Sequence, residues 1–172
     1  MTPKILTASV VLASLALAGC AGKPKELPPQ PEAATTTRTP PPPPTPAPAG
    51  PVPGSQADFL ASVISDTIHF ELDKYNVDTE SQGILQSQAQ WLAKYPGKKI
   101  TIEGHCDERG TREYNLALGE RRANAAKTYL VGLGVDASRI NTVSYGKERP
   151  IALGSDEASW AKNRRAVTIT VE

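Results

Sequence analysis

Thirteen of the sixteen prolines in this 172-residue chain fall between Ala21 and Gln56, and that stretch decides which parts of the chain can fold. Pro40 to Pro44 form an unbroken run, followed by Pro46, Pro48, Pro51 and Pro53, with almost no apolar residues between them. Proline fixes φ and lacks an N–H, so the segment can neither pair in a sheet nor fill a helix. It is expected to be a disordered, semi-stiff polyproline II spacer, rising about 3.1 Å per residue and reaching at most ~110 Å. A docking site for a proline-recognition domain is the other use of such a run. What can bury a core lies after it, from Ala57 to Glu172, and suits one small domain.

The segment ahead of the prolines is a secretion signal that closes on a cysteine. Lys4 supplies a sparse positive region, Ile5 to Ala18 is apolar, and Ala18 and Gly19 are the small residues a signal peptidase requires. An apolar run of roughly 14 residues is too short for a spanning helix, which needs about 20. Leu17-Ala18-Gly19-Cys20 has the bacterial lipobox pattern, so residues 1–19 are expected to be removed. Cys20 then becomes the lipidated first residue of the 20–56 tether, with acyl chains such as palmitate on its thiol and freed amine. Each buried methylene adds about 0.8 kcal/mol, so several chains hold the membrane far more firmly than one. Ala21 follows the cysteine, and no aspartate signals inner-membrane retention. The expected location is the outer membrane, lipid-anchored, with the domain facing the periplasm.

The domain carries 15 Lys or Arg against 16 Asp or Glu, a balance that argues against nucleic acid as a partner. Its one cysteine is Cys106, so with Cys20 acylated no intramolecular disulfide forms and the exported domain relies on its core.

Hydrophobic periodicity predicts the elements. Thr67 to Leu72 alternates as a half-buried strand. Asp78-Thr79-Glu80 opens a helix to about Tyr95, with Ile84, Leu85, Ala89, Leu92 and Tyr95 as its stripe and Pro96-Gly97 as its stop. Lys99 to Gly104 is a second strand, running into the turn His105 to Gly110. A long helix follows from Thr111 to about Leu130, then a strand from Ile140 to Tyr145, a short helix from Asp156 to Asn163, and a strand from Ala166 to Val171. The order β-α-β-α-β-α-β predicts an α+β sandwich: one mixed four-stranded sheet with helices packed on one side. Two strand–helix–strand units imply some parallel pairing, while the strand order stays open.

Polar residues gather at the end of the second strand and along the helix after it. Asn115, Leu118 and Arg122, spaced i, i+3 and i+7, share one stripe of that helix. Asp107 lies in the turn ahead of it, and Asp73 just past the first strand. If the first two strands are neighbours, Asp73 comes close to Asp107. A solvent-facing pocket with an acidic wall, an arginine fork and a helix N-terminus would suit a small zwitterion. The plainer reading is that Asp107 caps the helix while Arg121 and Arg122 make weak surface ion pairs. Spacing alone leaves both open.

Four motifs, in order, carry a resemblance. Phe70-Glu71-Leu72-Asp73-Lys74-Tyr75, Gly104 to Thr111 (GHCDERGT), Tyr114 to Ala123 (YNLALGERRA) and Asn163-Arg164-Arg165-Ala166-Val167 closely resemble the peptidoglycan-associated lipoproteins. Those proteins belong to the OmpA-like peptidoglycan-binding domain family, and the likeness covers about Thr67 to Glu172. It implies that Asp107 takes the ammonium at the D-centre of meso-diaminopimelate in the peptidoglycan stem peptide, and that Arg122 takes a carboxylate. It implies a further contact at Asp73, packing of Leu118 on the ligand's methylenes, backbone contacts from Arg109 to Thr111, and Asn115 as a polar neighbour. Cys106 stands where many relatives carry alanine or threonine, and Leu72 where some carry phenylalanine.

The function implied is a tether from outer membrane to cell wall, partnered by a TolB-type propeller and other Tol proteins and supporting envelope integrity and constriction at division. No cofactor is implied. The alternative is a peptidoglycan-modifying hydrolase. His105, Cys106 and Asp107 would be its candidates for a nucleophile or a metal site. Neighbours at a strand end project to opposite faces, so His105 is not expected to serve Cys106 as a base. With only His69 as a further histidine, a metal site lacks converging ligands, and the chain is expected not to be an enzyme.

Overall fold

The computed structural model describes residues 50–171, so the leader, Cys20 and most of the spacer lie outside the described residues. The first element is a helix that periodicity does not signal, α1 (Gln56–Ser62). Its two turns are too short to show a stripe. The Ser55 hydroxyl caps it, accepting from the Asp58 N–H at 3.2 Å. The Asp58 carboxylate accepts from Gly54 N and Trp91 Nε1, each at 3.0 Å, and Phe59 is fully buried against Trp91. This packed helix begins at Gln56, one residue ahead of the expected edge of the domain.

The remaining elements follow the expected order: β1 (Thr67–His69), α2 (Thr79–Lys94), β2 (Lys99–His105), α3 (Arg112–Gly132), β3 (Ile140–Gly146), α4 (Glu157–Asn163) and β4 (Arg165–Val171). They form one mixed sheet in the order β1-β4-β2-β3. β2 and β3 pair in parallel, bridged by α3, while β4 runs antiparallel to both β1 and β2. The first two strands are therefore not neighbours. The β1–α2–β2 unit leaves a gap one strand wide, and the last strand fills it.

Ile100, Ile102 and Gly104 on β2 face the same side as their partners Thr170, Thr168 and Ala166 on β4. That side is covered by α1, α2 and α3. The burial of two threonines there is matched by glutamines from the helices. Gln88, with no exposure, accepts from Thr168 Oγ1 at 2.9 Å and donates to the Ser65 carbonyl at 2.8 Å. Gln56 accepts from both the N–H and the hydroxyl of Thr170. A buried polar group so paired avoids the penalty of an unmade bond. The buried face of α2 accordingly centres on Leu85, Gln88, Trp91 and Leu92, while Ile84, Ala89 and Tyr95 of the expected stripe lie at its margin.

α3 crosses β2 at a glycine pair. A Cβ on Gly104 would lie far inside van der Waals contact distance of the Gly119 carbonyl oxygen, and one on Gly119 would meet Ser144 Oγ. The helix can therefore lie close on the sheet, and the Ser144 hydroxyl donates to the Leu116 carbonyl at 2.7 Å.

His105 ends β2 beside a register shift, 2 % exposed, with its ring against Tyr145. Neither ring nitrogen has a hydrogen-bond partner among the described residues. Burial, with Arg165 and Arg149 nearby, pushes its pKa down to about 4. The imidazole is thus neutral at pH 7, and Glu103 Oε2, 3.6 Å from Nε2, is not an ion-pair partner there. Because the folded pKa lies below the unfolded value of about 6.5, this contribution to stability is complete above pH 6.5 and declines as pH falls toward 4. A loss of about 3 kcal/mol is expected across that window. Urea titrations at a series of pH values should show it, and His105→Phe should flatten the slope.

Candidate functional site

The site is assembled where β2 hands over to α3. Thr111 caps α3, its hydroxyl accepting from Tyr114 N, so the helix cap is not Asp107. Gly110 takes the left-handed conformation at φ +84°, which lets the turn enter the helix without strain. Asn115 reaches back from the first turn of α3 and donates from Nδ2 to the carbonyls of Arg109 (2.7 Å) and Thr111 (3.0 Å). From the other side, Lys147 Nζ donates to the carbonyls of Glu108 and Gly110. The turn carrying Asp107 is a braced structure.

Asp107 is 5 % exposed, and both its oxygens are engaged. Oδ1 accepts from the N–H and Nε of Arg109, each at 3.1 Å, and Oδ2 from Arg109 Nη2 at 2.6 Å and Arg164 Nη1 at 3.4 Å. Burial alone would push this carboxyl up. The Arg109 side chain and N–H, with Arg164, outweigh burial and hold it below the usual carboxylate range. The same carboxylate raises the pKa of Arg109. The Arg109 guanidinium also lies 4.0 Å over the Trp160 ring, whose Nε1 donates to Glu108.

Arg122 has no exposure at all. Its Nε donates to the Lys74 carbonyl (2.9 Å), Nη1 to His105 (2.9 Å) and Nη2 to Glu71 (3.1 Å). It is therefore not the surface ion pair or the solvent-facing residue of the sequence readings but a buried pin joining α3, the end of β2 and the segment after β1. The strand expected to reach Leu72 ends at His69. Phe70 N still donates to the Arg164 carbonyl, but Arg164 N is spent on the end of α4 and the Phe70 carbonyl accepts from Arg164 Nε instead. The Glu71 and Lys74 carbonyls then turn to the Arg122 guanidinium. The resulting turn holds Asp73 at φ +54°. So Asp73 approaches the site by this turn and not by strand adjacency, and its carboxylate accepts from Tyr114 Oη at 3.4 Å.

Asp73, Asp107, Arg109, Asn115, Leu118 and Arg122 all line one cavity of about 320 Å3, while Thr111, at the cap, is outside its lining. That volume falls within the range of small-molecule sites, about 300–1,000 Å3. Leu72, Cys106 and Leu118 supply an apolar wall. Cys106 is a free, buried thiol whose Sγ donates to the Asn115 carbonyl at 3.4 Å; burial pushes its pKa up. His105 turns the other way, to Tyr145, and the two side chains form no nucleophile–base pair.

Sequence reasoning gave no role to Tyr114, Trp160 and Arg164. Arg164 matters most of the three. It is 4 % exposed and spans the cavity wall, donating to the Phe70 carbonyl (3.0 Å), Asp107 and Glu157 (2.6 Å). Its one signal was its place in the Asn163-Arg164-Arg165-Ala166-Val167 motif. Nothing in the spacing ties it to an aspartate 57 residues away.

Residues 69–164, more than half of the chain, match the OmpA family. The peptidoglycan-associated lipoprotein of Rhizobium meliloti is 51% identical over 156 residues, covering 91% of this chain and 82% of that protein. That of Haemophilus influenzae is 54% identical over 102 residues, or 59% of this chain and 67% of the relative. The crystal structure of the peptidoglycan-associated lipoprotein from Burkholderia pseudomallei superimposes with a TM-score of 0.62 at 46% identity, covering 69% of this chain and 98% of that one. A fold of the same kind, four motifs in one order and likeness across nearly the whole length agree: this chain belongs to the OmpA family and, within it, to the peptidoglycan-associated lipoproteins.

Proposed function

We propose that this protein is a non-catalytic tether that binds peptidoglycan through the diaminopimelate of the stem peptide and holds the outer membrane to the cell wall. The observation that carries this reading is one cavity lined by both a carboxylate, Asp107, and the guanidinium groups of Arg122 and Arg164. A zwitterion with a carbon chain between its charges meets all three features: acid for the ammonium, guanidinium for a carboxylate, and Leu118 with Leu72 for the methylenes. Arg122 has five N–H donors, of which three go to backbone carbonyls, and its guanidinium lines the cavity beside the Cys106 thiol. Peptidoglycan as the target is supported by the name of the relatives, and membrane attachment by the lipobox at Cys20. Asp73 stands as a further contact, and Arg109 and Thr111 as backbone contacts. Partnership with a TolB-type propeller and other Tol proteins, in envelope integrity and constriction at division, completes the proposal.

Calorimetric titration with soluble stem peptides tests it. The diaminopimelate form should bind, and the lysine form should bind poorly because it lacks the second carboxylate and D-centre. Asp107→Asn should cost about 2–4 kcal/mol of binding, since removing one member of a desolvated charge contact strands the other. Equal affinity for the two peptides, or wild-type binding by Asp107→Asn, would remove the proposed mechanism. Release of soluble muropeptides from purified wall would instead favour a hydrolase.

A further inference from the structure

We propose that the Arg109 side chain is a resident cation, seated on the Asp107 carboxylate in the free protein, which a ligand ammonium must displace. Arg109 and its aromatic shelf Trp160 thereby set which ligands the cavity accepts. This rests on the reading of Asp107 as the ammonium-receiving group. A carboxylate offers about four acceptor positions. On Asp107 all four are taken: the Arg109 N–H and Nε on Oδ1, and Arg109 Nη2 and Arg164 Nη1 on Oδ2. A ligand cation cannot simply be added to this set.

Three features say which donor gives way. The Arg109 N–H is fixed by the braced turn, where Asn115 holds the carbonyl of the same residue. Arg164 is buried and anchored at its other ends by the Phe70 carbonyl and Glu157. The Arg109 side chain is one-third exposed, and its other contact among the described residues is the face of Trp160. It can swing off Asp107 and stay stacked on the indole, which the Trp160 Nε1 bond to Glu108 holds in place. The swing vacates two acceptor positions, and a primary ammonium has three donors to fill them. A ligand whose amine is acylated brings no charge to replace the guanidinium, so Arg109 stays in place and excludes it.

Calorimetry and tryptophan fluorescence on the whole protein, with diaminopimelate stem peptide as the probe, decide the matter. If Arg109 occupies Asp107 about nine-tenths of the time, Arg109→Gln should tighten binding about tenfold, because the competent fraction rises to one. Arg109→Lys keeps the charge but loses the planar two-donor contact, so it should tighten binding by about threefold. A mere long-range charge effect would leave Arg109→Lys at wild-type affinity. Ligand should change the wild-type emission as the guanidinium moves over Trp160. Arg109→Gln, with no guanidinium on the indole, should bind without that change in emission, and Trp160→Phe should abolish it while Trp91 stays silent in the core. Wild-type or weaker binding by both Arg109 variants, with Asp107→Asn still defective, would overturn the resident-cation proposal and leave the ammonium reading standing. Wild-type binding by Asp107→Asn would overturn both.

Discussion

Gly104→Ala is expected to destabilise the domain by about 3 kcal/mol or more, the upper part of the range for overpacked cores. The new methyl would enter the space of the Gly119 carbonyl oxygen, which is backbone in the middle of α3 and cannot rotate away as a side chain would. Relief requires the whole helix to lift off β2. That movement would loosen the packing of Ala123 and Ala126 on the sheet and stretch the Ser144–Leu116 bond. The site suffers too, since Asn115, Leu118 and Arg122 ride on that helix. Urea denaturation should show a lower midpoint, with stem-peptide affinity falling in parallel. Gly83→Ala is the control. No neighbour lies within 4 Å of a Cβ there, and within α2 the change should be neutral or stabilising. A Gly104→Ala midpoint equal to wild type would show that the helix is not seated as closely as described.

Arg122→Met should cost about 3 kcal/mol or more of stability as well as most of the binding. It leaves the carbonyls of Glu71, Lys74 and His105 without their donor, at about 1 kcal/mol or more for each buried acceptor. In the solvent-facing pocket expected from the sequence such a variant would leave stability untouched; the burial of Arg122 predicts the loss instead. Arg122→Lys keeps the positive charge but cannot reach three carbonyls in three directions, so it should recover only part of the loss. The turn through Asp73 depends on the same carbonyls. Hydrogen exchange should therefore show the amides of residues 70–75 losing protection first in both variants. Unchanged protection there, with binding lost, would confine Arg122 to ligand contact alone.

The sequence by itself determined which part of the chain could build a core, because proline excludes both helix and sheet whatever surrounds it. It also determined the long elements. α2, α3 and the strands β2, β3 and β4 are each written in local periodicity and local caps, such as Asp78 for α2 and Asp156 for α4. The motifs around Asp107 and Arg122 were enough to identify the family. Tertiary structure alone decided the rest, and in each case the deciding partner is remote in sequence. The strand order depends on β4 finding the gap between β1 and β2, which no property local to β1 or β2 encodes. Burial of Thr168 and Thr170 with Val167 and Ile169 turned to the less covered face depends on Gln88 and Gln56 arriving from two helices. Arg122 reads as a solvent-facing ligand contact along its own helix. Three backbone carbonyls, two of them about 50 residues away, make it one of the most buried side chains in the domain. Arg164 joins Asp107 for the same reason: side-chain hydrogen bonds are satisfied by whatever the packed elements bring within 3 Å or so, and that is a property of the assembled sheet.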